Sequence, residues 1–269
     1  MDERAIGVFD SGLGGLTTVK RLMELLPGED IIYLGDTGRV PYGSRSRETI
    51  IKYTCQAAEF LSSFDIKTMV IACNTASTCA YEILERSYDI PIYEVVSAPV
   101  ETAIATTKNN KIGVIGTAAT IKSGAYEIAI KSRKSEIAVF SEACPLFVPL
   151  VENGRYASDD VAALAIAEDY LLPIRQSGAD TLILGCTHYP LLRDVISKIM
   201  GENVELIDSG AQTAKLVADD LLKKNMLSYE KIKGTIKYFV TDSTEGFSDF
   251  ASRYLESNIY GMVEQIVLE

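Results

Sequence analysis

Thr68-Met69-Val70-Ile71-Ala72-Cys73-Asn74-Thr75 and Thr181-Leu182-Ile183-Leu184-Gly185-Cys186-Thr187-His188 are the two stretches on which the fold turns. Each is an apolar run of strand length, then a small residue, a cysteine, and threonine close behind. Short apolar runs bounded by turn residues suit buried parallel strands. Open α/β sheets place ligand chemistry just past the carboxyl ends of such strands. Two thiols in matching positions therefore suggest two acid/base groups facing one substrate.

Further apolar runs predict strands at Ala5–Phe9, Ile31–Leu34, Ile92–Val95, Lys111–Ile115, Glu136–Phe140, Val204–Ile207 and Lys237–Thr241. Helical spacing of apolar positions predicts helices in stretches such as Thr17–Leu26, Arg47–Ser62, Ala76–Ser87, Ser158–Ser177 and Ala211–Lys224. Strand–helix alternation argues for parallel sheets built from βαβ units. Ile6-Gly7-Val8-Phe9-Asp10-Ser11 also resembles Ile112-Gly113-Val114-Ile115-Gly116-Thr117, and each is followed at a similar distance by one of the cysteine strands. The expectation is an α/β protein of two related, pseudo-symmetric domains with mainly parallel sheets and the site in the cleft between them. Residues 1–97 with 210–269 would form the first domain, carrying Asp10 and Cys73. Residues 98–209 would form the second, carrying Glu152, Cys186 and His188.

The chain has 269 residues, 47% of them hydrophobic, and a formal net charge of −11. That balance argues against nucleic acid or an anionic membrane surface as partner, since both need a concentrated cationic face. No apolar stretch approaches the roughly 20 residues that cross a bilayer. The N-terminus lacks a signal-peptide pattern, so the cytoplasm is expected. Five cysteines, an odd number, and no C-x-x-C pair argue against a disulfide framework or a structural zinc site. His188 is the sole histidine, so any Ser-His-Asp or Cys-His mechanism would have to use it.

Asp10-Ser11-Gly12-Leu13-Gly14-Gly15 follows a predicted strand and opens a helix. Its amides suit a carboxylate or phosphate, and Ser11 offers a further donor. A dinucleotide fingerprint fails because Thr17 stands where its last glycine belongs. The bland alternative is a tight turn with Asp10 as helix cap. Gly35-Asp36-Thr37-Gly38-Arg39-Val40-Pro41-Tyr42-Gly43-Ser44 is another loop at a strand end, with hydroxyl donors at Tyr42 and Ser44. Cys73 opens a run of hydrogen-bonding residues at a helix start, a position expected to lower a thiol's pKa. Asn74, Thr75 and Ser77 could hold an amino acid's polar ends. Cys55, Cys79 and Cys144 lack this context; Cys55 and Cys79 read as packing residues. His188 is close enough to Cys186 to tune it or bind substrate. Glu152 reads equally as a receptor for a substrate ammonium group or as a solvent-facing side chain.

Together these segments resemble the cofactor-independent aspartate/glutamate racemase family. Ala76-Ser77 following Cys73, and His188 following Cys186, are similar to its glutamate branch. The resemblance rests on Val8–Gly15, Gly35-Asp36-Thr37 with Pro41-Tyr42-Gly43, Ala72–Ser77, Pro149–Glu152 and Gly185–Pro190, and spans nearly the whole chain. It implies that Cys73 and Cys186 are the two proton donor/acceptors. It implies that Asp10 and His188 assist the adjacent thiols, with Glu152 near Cys186. Asp10, Ser11, Pro41, Tyr42, Gly43, Asn74, Thr75, Thr187 and His188 are implied to bind the substrate glutamate. Neither a pyridoxal cofactor nor a metal is implied. The family role is D-glutamate for peptidoglycan, and a homodimer stays open as an assembly. The chain starts a few residues before its first strand, so it is expected to lack the N-terminal extension of members regulated by a cell-wall precursor. Gly38 stands where the family usually has alanine, and Asn153 replaces a common acidic residue. The rival readings are aspartate racemisation, a non-catalytic two-lobed amino-acid binding protein, and a Cys-nucleophile amidohydrolase.

Overall fold

A computed structural model describes residues 2–228 and 233–268. The chain forms strands β1 (Ala5–Asp10), β2 (Ile31–Gly35), β3 (Ile66–Ile71), β4 (Ile92–Glu94), β5 (Lys111–Gly116), β6 (Ala138–Ala143), β7 (Thr181–Gly185), β8 (Glu205–Asp208), β9 (Ile236–Val240) and β10 (Val263–Gln265). The helices are α1 (Leu16–Leu25), α2 (Arg47–Ser62), α3 (Asn74–Ser87), α4 (Ser97–Thr106), α5 (Ala118–Ser123), α6 (Ala125–Arg133), α7 (Phe147–Glu152), α8 (Val161–Ser177), α9 (Arg193–Met200), α10 (Ser209–Lys223) and α11 (Thr244–Leu255).

The strands build two sheets, ordered β10-β9-β2-β1-β3-β4 and β6-β5-β7-β8. Every pairing is parallel. Helices cover the sheets, so the central strands are buried along their length: Ile6, Val8 and Phe9 of β1 and Leu182, Ile183 and Leu184 of β7 are essentially inaccessible. Full burial of such a side chain stabilises by about 1.5–3 kcal/mol, which is why these runs are apolar without alternation.

The order β2-β1-β3-β4 in one sheet is repeated as β6-β5-β7-β8 in the other. The expected pseudo-repeat is therefore a repeat of topology. In each half the chain runs from the central strand to one side, then crosses back over it. The carboxyl ends of β1 and β3, and of β5 and β7, thus flank a switch point, where α/β sheets open a crevice. The residues following β3 and β7 are Ala72-Cys73 and Cys186.

Several boundaries move. β6 begins at Ala138 rather than Glu136 and runs on to Ala143. It is the edge strand and only partly buried, so its apolar signal is diluted. Helix α8 starts at Val161, because the Asp160 carboxylate accepts from the N–H groups of Ala162 and Ala163 and fixes the first turn there. Asp208 does the same for α10, two residues earlier than Ala211. Helices α4, α5, α6, α7, α9 and α11 add to the stretches named from periodicity. Among the described residues no helix is long and apolar enough to cross a membrane.

Candidate active site

Cys73 and Cys186 reach the same cavity from different sheets. The cavity has a volume of about 310 Å³ and lies where the two sets of strand ends meet. Of the residues singled out in the sequence, Ser11, Pro41, Tyr42, Gly43, Ser44, Cys73, Asn74, Thr75, Glu152, Cys186, Thr187 and His188 line it. Asp10 does not. Its side chain is fully buried behind the wall, where Oδ2 accepts from the Gly12 N–H at 2.8 Å and Oδ1 from the Thr187 hydroxyl at 3.4 Å. Nor does it cap a helix, since α1 starts only at Leu16, after Gly15.

Cys73 is the residue before α3 and is 5% exposed. Its thiol donates to Ser11 Oγ at 3.2 Å. A helix start predicts a lowered pKa, and the structure corrects this expectation. Burial, followed by the nearby Asp10 carboxylate, outweighs the Ser11 and Ala76 contacts and pushes the thiol up to about 12. A dry site penalises a thiolate more than one turn of helix dipole can offset.

Cys186 has a different neighbour. His188 Nδ1 lies 3.9 Å from its sulfur, and Nε2 lies 3.2 Å from Glu152 Oε1. Burial works against a charged imidazole here. The contacts with Cys186 and Glu152, with Asp10 close by, overcome it and carry His188 to about 10. Asp10 itself is pushed up by burial, while His188, the Gly12 and Gly15 N–H groups and Thr187 pull it down. Glu152 reaches this position because α7 ends beside the turn at Tyr189–Leu192.

Two expected substrate donors are already engaged. The Tyr42 hydroxyl donates to Asp36, which also receives Arg39 Nε at 2.7 Å and the Thr241 hydroxyl at 2.7 Å. The Asn74 amide donates to the Tyr126 hydroxyl at 2.6 Å. Ser77 donates to the Ile71 carbonyl and stays outside the cavity wall. What Tyr42 and Asn74 keep free for a ligand is their place in the wall. The other hydroxyl residues in the cavity lining are Ser11, Ser44, Thr75, Thr117 and Thr187. Thr117 Oγ1 lies 2.9 Å from Thr75 Oγ1, across the two sheets. Sequence reasoning missed Thr117, although the repeat carried the signal, since Gly116-Thr117 aligns with Asp10-Ser11. Nor did it assign a role to the apolar rim of Val40, Pro145, Val148 and Pro149. Cys55, Cys79 and Cys144 are free thiols and line no part of the cavity. Among the described residues no three His, Cys, Asp or Glu side chains converge to hold a metal ion.

A thiol from each sheet, Cys73 with Asp10 as a charged neighbour and Cys186 with His188, opens onto the one cavity. The chain belongs to the Asp/Glu/hydantoin racemase family, whose model matches residues 6–217. It is 47% identical to a glutamate racemase of Geobacter metallireducens, covering 100% of this chain and 98% of that one. A glutamate racemase isoform from Bacillus anthracis superposes with a TM-score of 0.95 at 38% identity, covering 100% of this chain and 99% of the other. The Francisella tularensis glutamate racemase in complex with D-glutamate gives a TM-score of 0.92 at 39% identity, with the same coverage of 100% and 99%.

Proposed function

We propose that this protein is a cofactor-independent glutamate racemase, interconverting L- and D-glutamate with Cys73 and Cys186 as the two acid/base groups. The observation that carries the reading is the shared cavity, lined by one cysteine from each sheet. The relatives' activity and the D-glutamate complex of the Francisella tularensis enzyme support the choice of substrate.

Inversion at an α-carbon requires a proton to leave one face and another to arrive on the opposite face. A single base returns the proton where it found it. Cys73, a thiol at rest, is the acid in one direction. A Cys186 thiolate beside His188 removes the α-proton, and Cys73 delivers its own proton to the other face. The products are the opposite enantiomer, a Cys186 thiol and a Cys73 thiolate. The reverse reaction exchanges the roles, with the Ser11 contact and the Ala76 N–H available to a Cys73 thiolate. Positioned acid–base catalysis of this kind contributes about 10²–10⁴-fold. Stabilisation of the developing negative charge in a dry site supplies more. His188 serves the Cys186 side, and Asp10 and Glu152 act through His188 and Thr187. Ser11, which only accepts from Cys73, presents its hydroxyl to the amino acid, and the wall formed by Pro41, Tyr42, Gly43, Asn74, Thr75 and Thr187 fixes its orientation.

Residues 1–97 with 210–269, and 98–209, are the two domains in this reading. The return of β9 and β10 to the first sheet supports it. So does the start of α4 and α10 at Ser97 and Ser209. The enzyme would supply D-glutamate for peptidoglycan in the cytoplasm. Aspartate racemisation is the rival substrate reading. Incubation with each enantiomer of glutamate and aspartate in D₂O, followed by polarimetry and α-proton NMR, decides the matter. Glutamate should racemise with deuterium at Cα, and aspartate far more slowly. No exchange with glutamate would overturn the assignment.

A further inference from the structure

Tyr126 touches the immediate neighbours of both cysteines. It lies on α6, 2% exposed, in the core beneath the second sheet. Its ring packs against the bare Cα of Gly185, the residue before Cys186; a Cβ there would meet Tyr126 Cε2 at 3.1 Å. Its hydroxyl accepts from the amide of Asn74, the residue after Cys73, at 2.6 Å, and donates to the Val95 carbonyl at 3.0 Å. The Asn74 amide also reaches Ser209 Oγ at 3.3 Å, and the Ser209 hydroxyl donates to the Leu184 carbonyl of β7 at 3.0 Å. A continuous buried path therefore runs from the end of β7, through Ser209, Asn74 and Tyr126, to the end of β4. Burial drives the Tyr126 phenol far above its usual range, so it remains an O–H donor throughout.

We propose that Tyr126 is a positioning residue for the two-thiol reaction, its ring against Gly185 and its hydroxyl on Asn74 together setting the separation of Cys73 and Cys186. The inference rests on the assignment of those two cysteines made above. Buried polar paths with every member satisfied are stiff, because each unmade bond in a dry interior is costly. The reaction needs that stiffness. Reacting atoms must sit about 3–3.5 Å apart on both faces at once.

A specific failure follows when the path is broken. A thiolate that still touches the substrate takes the α-proton, and its S–H exchanges with D₂O to S–D. Deuterium then returns to the same face, because the opposite thiol has drifted out of reach. The starting enantiomer becomes labelled without inversion. A protein merely destabilised would lose exchange and inversion together.

The test compares wild type with Tyr126→Phe in D₂O, starting from each glutamate enantiomer, with NMR and a chiral assay. The expected result is a rise of at least about tenfold in deuterium retained by the starting enantiomer relative to that in the inverted product, with KM close to wild type. A wild-type ratio, even at reduced turnover, overturns the inference. Should Tyr126→Phe fail to fold by circular dichroism, Ser209→Ala cuts the same path from the other side and must show the same rise; a wild-type ratio there overturns it equally. A wild-type protein that neither exchanges nor inverts glutamate would instead refute the racemase reading, and the inference with it.

Discussion

His188 and Glu152 form a contact of 3.2 Å between Nε2 and Oε1, with the imidazole 7% and the carboxylate 33% exposed. The pair joins α7 to the turn after β7, beside Cys186. Because His188 is carried to about 10 from 6.5, its charged form stabilises the fold fully below about pH 6.5, and that contribution disappears as pH rises towards 10. Glu152→Gln should therefore destabilise the protein more at pH 6.5 than at pH 10 in urea titrations. Equal penalties at both pH values would mean that His188 is neutral in the fold.

Cys73→Ala and Cys186→Ala should each lower racemisation of both glutamate enantiomers by at least about 10²-fold. Both sites are small and sit at strand ends, so far-UV circular dichroism should be unchanged. Normal turnover without either thiol would defeat the two-base assignment.

Gly14 marks a close approach of the first sheet's loop to the loop that carries Cys186. A Cβ there would lie 2.2 Å from Thr187 Oγ1 and 2.5 Å from His188 Nδ1. Overpacking of this kind costs about 1–3 kcal/mol. Gly14→Ala should show that loss in urea denaturation and a still larger loss of activity, since it displaces the imidazole beside Cys186. Full activity in Gly14→Ala would show that this approach is slack.

Lys67 and Glu29 are paired at 2.5 Å with 0% and 2% of their side chains exposed. The lysine also donates to the carbonyls of Asp2 and Met226. Lys67→Met leaves a buried carboxylate without its partner, which should cost about 3–5 kcal/mol. The double change Lys67→Met with Glu29→Gln should recover part of it. A thermodynamic cycle on these and wild type, with Glu29→Gln alone as the fourth protein, measures the difference; no recovery would mean that the lysine acts through the two carbonyls alone.

Much of this architecture was legible because parallel strands buried on both faces must be apolar runs, and β1, β3, β5 and β7 are such runs. The repeat was legible because the same turn chemistry follows β1 and β5. Edge strand β6 departs from its predicted bounds because it is only partly buried, and Cys73 departs from the lowering expected at a helix start because the sequence does not state how buried the site is. The cavity wall was read in part. Residues that follow a strand announced themselves, whereas Tyr126 lies inside α6 with no local mark, and its partners Asn74 and Gly185 come from far along the chain. The hydroxyl of Tyr42 was legible as a donor but its acceptor, Asp36, was not read as one.

In the pairing of β2 with β9, Ile31 meets Ile236 and Gly35 meets Val240. The six-stranded sheet therefore needs residues synthesised some two hundred positions apart, while the four-stranded sheet is complete once Asp208 has emerged. Synthesis from the N-terminus brings out β1–β4 first and β9 and β10 last, so the edge of β2 that β9 covers stays open until the tail arrives. That edge belongs to an apolar strand, and while open it is a template for wrong pairing.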